Sequence, residues 1–172
     1  MIFNYSYWAD GLLGYYGTGG YNPPYIGDSG INVMNGVILT SIPHMTSNTL
    51  PNGTISSSNS STQAYFACDG LGDFWTFNNS PSWIQYQFPE IIYLYSYTFA
   101  SVYSPLSWNL SASNDGVSFT TLDSRTNINP RVIGLPATHL AYSYYRLTIQ
   151  NIPGHTIDGI DGLQMYGYYH TS

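Results

Sequence analysis

No lysine occurs anywhere in this chain, and its cations are Arg125, Arg131 and Arg146 alone. Set against nine acidic residues they leave a formal net charge of −6. A chain so charged has no basic footprint for nucleic acid or for an anionic membrane surface, so neither partner is expected. Charged residues make up 7% of the sequence, where soluble domains average about a quarter. Water must therefore be met by Ser, Thr, Asn and Tyr. Cysteine is nearly missing as well. Cys68 stands alone, which excludes an intrachain disulfide and a thiolate metal cluster, and its expected role is that of a small buried apolar side chain. No apolar run has the length of a membrane span, and the opening MIFNYSYWADGLLGYY carries no positive leader, so no secretory signal is read there. Helical periodicity is also absent.

Aromatic residues, by contrast, reach 17%, with 18 tyrosines. A tyrosine gives a large contact area at low entropy cost and ends in a polar group. Such side chains suit interfaces and sugar-facing surfaces, and they suit the outer face of a β-sandwich, which accounts for most of them.

Residues 1–41 differ in texture from the rest. Glycine, tyrosine and proline alternate without a sustained period, and Tyr21-Asn22-Pro23-Pro24-Tyr25 reads as extended because each proline fixes φ and restrains its predecessor. A free segment of this kind would expose Phe3, Tyr5, Tyr7, Trp8, Tyr15 and Tyr16 to water. That much apolar surface calls for burial against the main domain or a neighbouring subunit, and an assembly role is favoured. Asn35-Gly36 between apolar residues predicts a short hairpin over residues 32–40.

From residue 42 onward the patterns are those of strands. In SWIQYQF (82–88) Ile84, Tyr86 and Phe88 share one face, and Trp83, Gln85 and Gln87 the other. Residues 90–103 are apolar on both faces and predict a central strand, with Tyr93, Tyr95, Tyr97 and Phe99 in one line. In LSWNLSASNDGVSFTTLDS (106–124) Trp108, Leu110 and Ala112 alternate with polar residues. Asn114-Asp115-Gly116 is expected to turn the chain as a two-residue hairpin does, with Val117, Phe119 and Leu122 on the return strand. Residues 142–149 and 163–169 supply the last strands. The fold class is all-β, two layers deep, with an irregular N-terminal extension over 1–41 and a sandwich domain over 42–172.

The run from 42 to 169 resembles the discoidin, or coagulation factor V/VIII type C, family of galactose-binding-like jelly rolls. Met45-Thr46-Ser47 through Pro51-Asn52-Gly53 is similar to the family's opening. Ala67-Cys68-Asp69-Gly70 with Trp75 resembles its A-x-D-G…W segment, and Pro81 to Phe88 its P-x-W-I-x-x-x-F strand. Ser113-Asn114-Asp115-Gly116 with Phe119 and Leu122 resembles S-N-D-G-x-x-W-x-x-L, phenylalanine replacing tryptophan. Tyr144-Tyr145-Arg146-Leu147 and Met165-Tyr166-Gly167 resemble Y-Y-R-L and the closing L-Y-G. Trp83, Trp108 and Phe119 are large enough to fill a two-sheet core. Arg146, lying between apolar neighbours, is expected to pair with an acid or stack on an aromatic ring in a structural role.

The resemblance implies a non-enzymatic binding module. Members of this kind often hold calcium in the turn after A-x-D-G, which would assign Asp69 and Asp73 as ligands. The closing glutamate is replaced by Gly162, with Asp161 beside it and out of phase, so Asp69 is read first as a cap on the turn's amides. Sugars bind in loop clefts through a stacking aromatic ring and planar polar groups. Phe74, Phe77, Tyr103, Arg125, Arg131, His139 and His155 fall in or near predicted loops and are the candidate contacts.

Two catalytic readings fail. Gly27-Asp28-Ser29-Gly30 spells the G-D-S-G of chymotrypsin-like proteases, but no histidine precedes Ser29, and the chain is too short for that double barrel. Asp158 and Asp161, the nearest approach to a glycosidase pair, lie in DGIDG, which reads as a loop. Phage and giant-virus structural proteins carry discoidin-like domains. The expectation is therefore a subunit on a virion surface, such as a capsid decoration or fibre, that self-associates or contacts other virion proteins and touches host glycans. The alternative is a free extracellular lectin for galactose-like or fucose-like sugars.

Overall fold

The computed structural model describes residues 4–8, 12–16, 31–34, 37–58, 63–78, 81–103, 106–136, 140–151 and 158–170. Twelve strands carry them, with one 3-10 turn at Ala64–Cys68. They run β1 Asn4–Trp8, β2 Leu12–Tyr16, β3 Ile31–Met34, β4 Val37–Ser41, β5 Thr54–Ser57 and β6 Trp75–Phe77. The second half of the chain gives β7 Ser82–Ser101, β8 Leu106–Ser113, β9 Thr120–Ile128, β10 Ile133–Gly134, β11 Tyr142–Asn151 and β12 Asp158–His170.

All pairings are antiparallel, and β7 is the strand on which they turn. Its first half pairs with β5 and β11, and β11 hands on to β8 and β9. Its second half pairs with β12 and β10, and β12 continues to β4 and then β3, with β6 on its other end. The two halves of β7 thus serve two layers. Between the layers lie Ile84, Tyr86, Phe88, Trp108, Leu110, Tyr145 and Leu147 from one side, and Trp75, Phe77, Tyr97, Phe99, Leu163 and Met165 from the other. The alternation expected of residues 82–88 holds. β3 and β4 form the hairpin expected around Asn35-Gly36, so strands of the large sheet occur on both sides of residue 41. β1 and β2 make a separate two-stranded sheet.

Core tyrosines reach polar partners without leaving the apolar interior. Tyr86 donates to the Asn52 carbonyl at 2.6 Å and Tyr145 to that of Ile92 at 2.7 Å. Burial pushes both phenols above their ordinary range. Gly167 sits where β12 pairs with β7 at Leu94. A Cβ there would meet the Tyr93 carbonyl oxygen at 2.9 Å, and backbone cannot step aside.

Several sequence expectations are corrected. The residues Tyr93, Tyr95, Tyr97 and Phe99 do not share a line. Tyr166 pairs with Ser96 and Gly167 with Leu94, so Tyr95 is an extra residue in β7. Beyond that bulge Tyr97 and Phe99 face the core, while Tyr93 and Tyr95 face away. The turn at Asp115 is not a two-residue hairpin, because the ladder closes at Ala112 and Thr120. Gly116 does take φ of 70°, but within a longer loop pinned by side chains. Val117 is 83% exposed, and Phe119 precedes the return strand instead of lying in it. Trp108 fills the core; Trp83 and Phe119 do not. They are half-buried and clamp the Arg146 guanidinium, at 4.2 and 3.8 Å from their ring centroids. DGIDG is the start of β12 and not a loop. The G-D-S-G at 27–30 lies outside the described residues.

Candidate functional site

One corner of the sandwich is built around a buried carboxylate. Asp158, 1% exposed, begins β12 and accepts from the amides of Gly159 at 2.7 Å and Tyr103 at 3.2 Å. The Ser101 hydroxyl stands 3.1 Å from the same carboxylate and 2.7 Å from the Tyr103 carbonyl. The Val102 amide donates to the Gly159 carbonyl at 3.1 Å. These bonds fix the end of β7 against the start of β12. Every one of them engages backbone or Ser101, so Asp158 acts as a brace for the corner.

The brace brings a third segment into place. A Cβ on Gly159 would meet Phe74 Cβ at 3.1 Å and Val102 Cγ2 at 3.3 Å, so Phe74 and Val102 close over a glycine. The result is an apolar rim of Phe74, Val102 and Tyr103, with the last two 50% and 40% exposed. Asp73 is exposed beside Phe74.

The sequence-derived contacts sort cleanly against this corner. Phe74 and Tyr103 meet there. Phe77 does not, being wholly buried and stacked on Trp75 with centroids 4.6 Å apart, so it is a core residue. Arg125 lies within β9, not a loop. Its Nε donates to Asp123 Oδ2 at 2.9 Å, and that bond raises the guanidinium pKa further. Arg131 is exposed in the connection to β10. His139 and His155 lie outside the described residues, and so does Phe3; the side chains of Tyr5, Tyr7, Trp8, Tyr15 and Tyr16 are outside them too. Val102 and the bracing pair Ser101 and Asp158 were missed. No motif marks them, since their role comes from the β7–β12 pairing alone.

Asp69 and Asp73 are the carboxylates that the calcium expectation names. Asp69 is 6% exposed, and its Oδ1 accepts from the Leu71 amide at 2.8 Å, which is the expected turn cap. Its Oδ2 is buried with no hydrogen-bond partner, and Asp69 and Asp161 both add to the burial that pushes the Cys68 thiol up to about 12. Among the described residues, however, no group of three His, Cys, Asp or Glu is placed to hold a metal, and Gly162 contributes no side chain where a closing glutamate would.

No family model matches the sequence, and no curated protein resembles it at the sequence level. Solved structures do. The CBM32 of AlyQ, in complex with 4,5-unsaturated mannuronic acid, superposes with a TM-score of 0.55 at 17% identity, over 69% of this chain and 95% of that one. A pectin-binding carbohydrate-binding module gives 0.57 at 14%, over 65% and 88%. The family 32 module of Clostridium perfringens NanJ, in complex with galactose, gives 0.52 at 16%, over 66% and 93%. The chain has the galactose-binding-like jelly-roll fold. Within the much longer family 89 glycoside hydrolase of C. perfringens the likeness spans 14% of that chain. For the jelly roll described here, the Asp158 corner is one end of the sandwich and the rim its exposed edge. No helix among the described residues is long and apolar enough to cross a membrane.

Proposed function

We infer that this jelly roll is a non-enzymatic carbohydrate-binding module whose sugar stacks on the rim of Phe74, Val102 and Tyr103. The observation that carries the reading is the braced corner. An aromatic ring and an apolar side chain, Tyr103 and Val102, are held exposed beside a buried carboxylate that is bonded to the backbone of the same corner. Structural neighbours that are carbohydrate-binding modules support it. Asp158 is buried, and its Oδ1 is engaged by the Gly159 and Tyr103 amides.

The test is binding of the full chain to an array of galactose-, fucose- and uronate-bearing glycans, with and without calcium, followed by calorimetry on the strongest. Binding that falls at least tenfold in both Phe74→Ala and Tyr103→Ala supports the rim. Unchanged binding in both moves the site elsewhere, and no binding to any glycan removes the reading.

A second reading adds an assembly role. β1 and β2 form a sheet of their own, apart from the ten-stranded sheet, in the tyrosine-rich part of the chain that precedes β3. The module would then sit on a larger particle, such as a virion surface, through residues 1–41, and present its rim outward to extracellular glycans. An oligomer in solution that loses its association when residues 1–41 are altered would favour this reading.

A further inference from the structure

Two layers account for the core, yet part of the outer surface is buried as deeply as the core. On β12 the side chains alternate, and Leu163 and Met165 point inward. By that alternation Tyr169 points inward and Tyr168 outward. Yet Tyr168 is 7% exposed, whereas inward Tyr169 is only half-buried. The same inversion occurs on β4. Leu39, which pairs with Tyr168, faces outward at 3% exposure and lies outside the core cluster, while inward Ile38 is half-buried. Outward Ser41 is 8% exposed and outward Ser96 1%. Rings continue along this surface. Tyr93 stacks on Tyr168 with centroids 5.3 Å apart, His170 sets its edge against both, and Tyr95 and Tyr166 face each other at 6.5 Å with their planes 29° apart.

The cover belongs to the chain itself, because the burial exists in a single copy. Its source is narrowed by connectivity. β3 is the edge strand beside β4, so the chain preceding Ile31 enters the fold next to this surface. The connection from Tyr16 to Ile31 reaches up to about 45 Å, enough to bring β1 and β2 anywhere across the sheet. The register of that hairpin places Tyr5 opposite Tyr15 and Tyr7 opposite Leu13, four apolar or aromatic positions on one face. An isolated two-stranded hairpin is marginal in water and requires a surface to pack on.

We propose that the β1–β2 hairpin of the same chain docks as a third layer on the outer tyrosine surface of β4, β12 and β7. The docked hairpin seals Leu39, Ser96 and Tyr168 from water. The surface is then an intramolecular seat, which a neighbouring copy enters only by displacing or exchanging the hairpin.

Hydrogen exchange on the full chain, read by mass spectrometry together with mass in solution, tests this. The wild type is compared with Tyr7→Asp and with Leu13→Asp. Exchange should accelerate about tenfold or more in 37–41 and 164–170 in both variants, and β8 and β11 should not change. In the wild type, protection of those segments should be the same at sub-micromolar and at high micromolar concentration, whatever the mass in solution. Protection that fades on dilution with dissociation of an oligomer overturns the proposal in favour of a hairpin donated by a second copy. Unaltered exchange in both variants overturns docking of the hairpin altogether. Should a variant fail to fold, the wild-type dilution series still decides between the two sources.

Discussion

The hydroxyl of Tyr97 donates to Asp123 Oδ2 at 2.6 Å, joining the second half of β7 to β9 in the opposite layer. The same oxygen of Tyr97 accepts from Trp108 Nε1 at 2.9 Å, and Asp123 Oδ2 accepts again from Arg125 Nε. An indole, a phenol, a carboxylate and a guanidinium form one line from the core centre to the surface. Burial, with the bond to Asp123 next, pushes the Tyr97 phenol up, so it stays a neutral donor. Tyr97→Phe removes the middle link and leaves Trp108 Nε1 buried without its acceptor. A loss of about 1–3 kcal/mol in denaturant unfolding is expected, with an unchanged denaturant slope. Equal stability of the two proteins would show that the line contributes nothing.

Arg146 holds its place by shape as much as by charge. Its Nε and Nη2 both donate to Gln85 Oε1, at 3.0 and 2.8 Å, while Trp83 and Phe119 cover its two faces. Lysine keeps the charge but has neither the plane nor the fork. Arg146→Lys should lower stability by about 1–2 kcal/mol and raise the exposure of Trp83, seen as a red shift in tryptophan emission. An unshifted spectrum at wild-type stability would refute the clamp.

This clamp also shows how much of the fold was legible. Trp83, Phe119 and Arg146 were all visible in the motifs, and the stacking of Arg146 was foreseen. The side of the sheet was not. Alternation tells which residues share a face, and Trp83 opposes Ile84, Tyr86 and Phe88; size alone had assigned it to the core. The bulge at Tyr95 was equally hidden, since an extra residue in a strand apolar on both faces leaves the pattern intact. At the site, Phe74 and Tyr103 were readable as aromatic rings near loops. The brace that unites them was not, because Ser101 and Asp158 stand 57 residues apart and meet only through strand pairing.

The sorting of arginines at the site has its own consequence. Arg125→Ala removes a half-exposed ion pair and should cost at most about 1 kcal/mol. Glycan affinity should not move, in contrast to the losses at Phe74 and Tyr103. Calorimetry on the Arg125 variant beside Tyr103→Ala separates the two roles. A comparable fall in both would bring β9 into the binding surface.

Cys68 is 1% exposed, and its thiol points to the Tyr65 carbonyl at 3.5 Å. Burial foremost, then Asp69 and Asp161, raises its pKa to about 12, so the reactive thiolate is scarce at any ordinary pH. The native protein should resist a thiol reagent at pH 8 and react promptly once unfolded. Labelling of the folded chain at the unfolded rate would place the thiol in an opening segment.

Asp115 organises the loop between β8 and β9. Its Oδ1 accepts from the amides of Val117 at 2.8 Å and Ser118 at 2.7 Å and from the Ser113 hydroxyl at 2.7 Å. Asn114 ties the same loop to β11 through the Ala141 carbonyl and the Ser143 amide. The bond from the Ser118 amide leads the effects that hold the Asp115 carboxyl well below its usual 3.8. A folded pKa below the unfolded one means that the folded chain binds this proton more weakly. The stabilisation is therefore complete above about 3.8 and is lost as pH falls toward the folded value. Asp115→Asn cannot ionise and presents only one oxygen. It should be less stable than wild type at pH 7, and the two unfolding curves should converge as the medium is acidified below the ordinary carboxylate range. A gap that stays constant into strong acid would assign the loss to shape and not to charge.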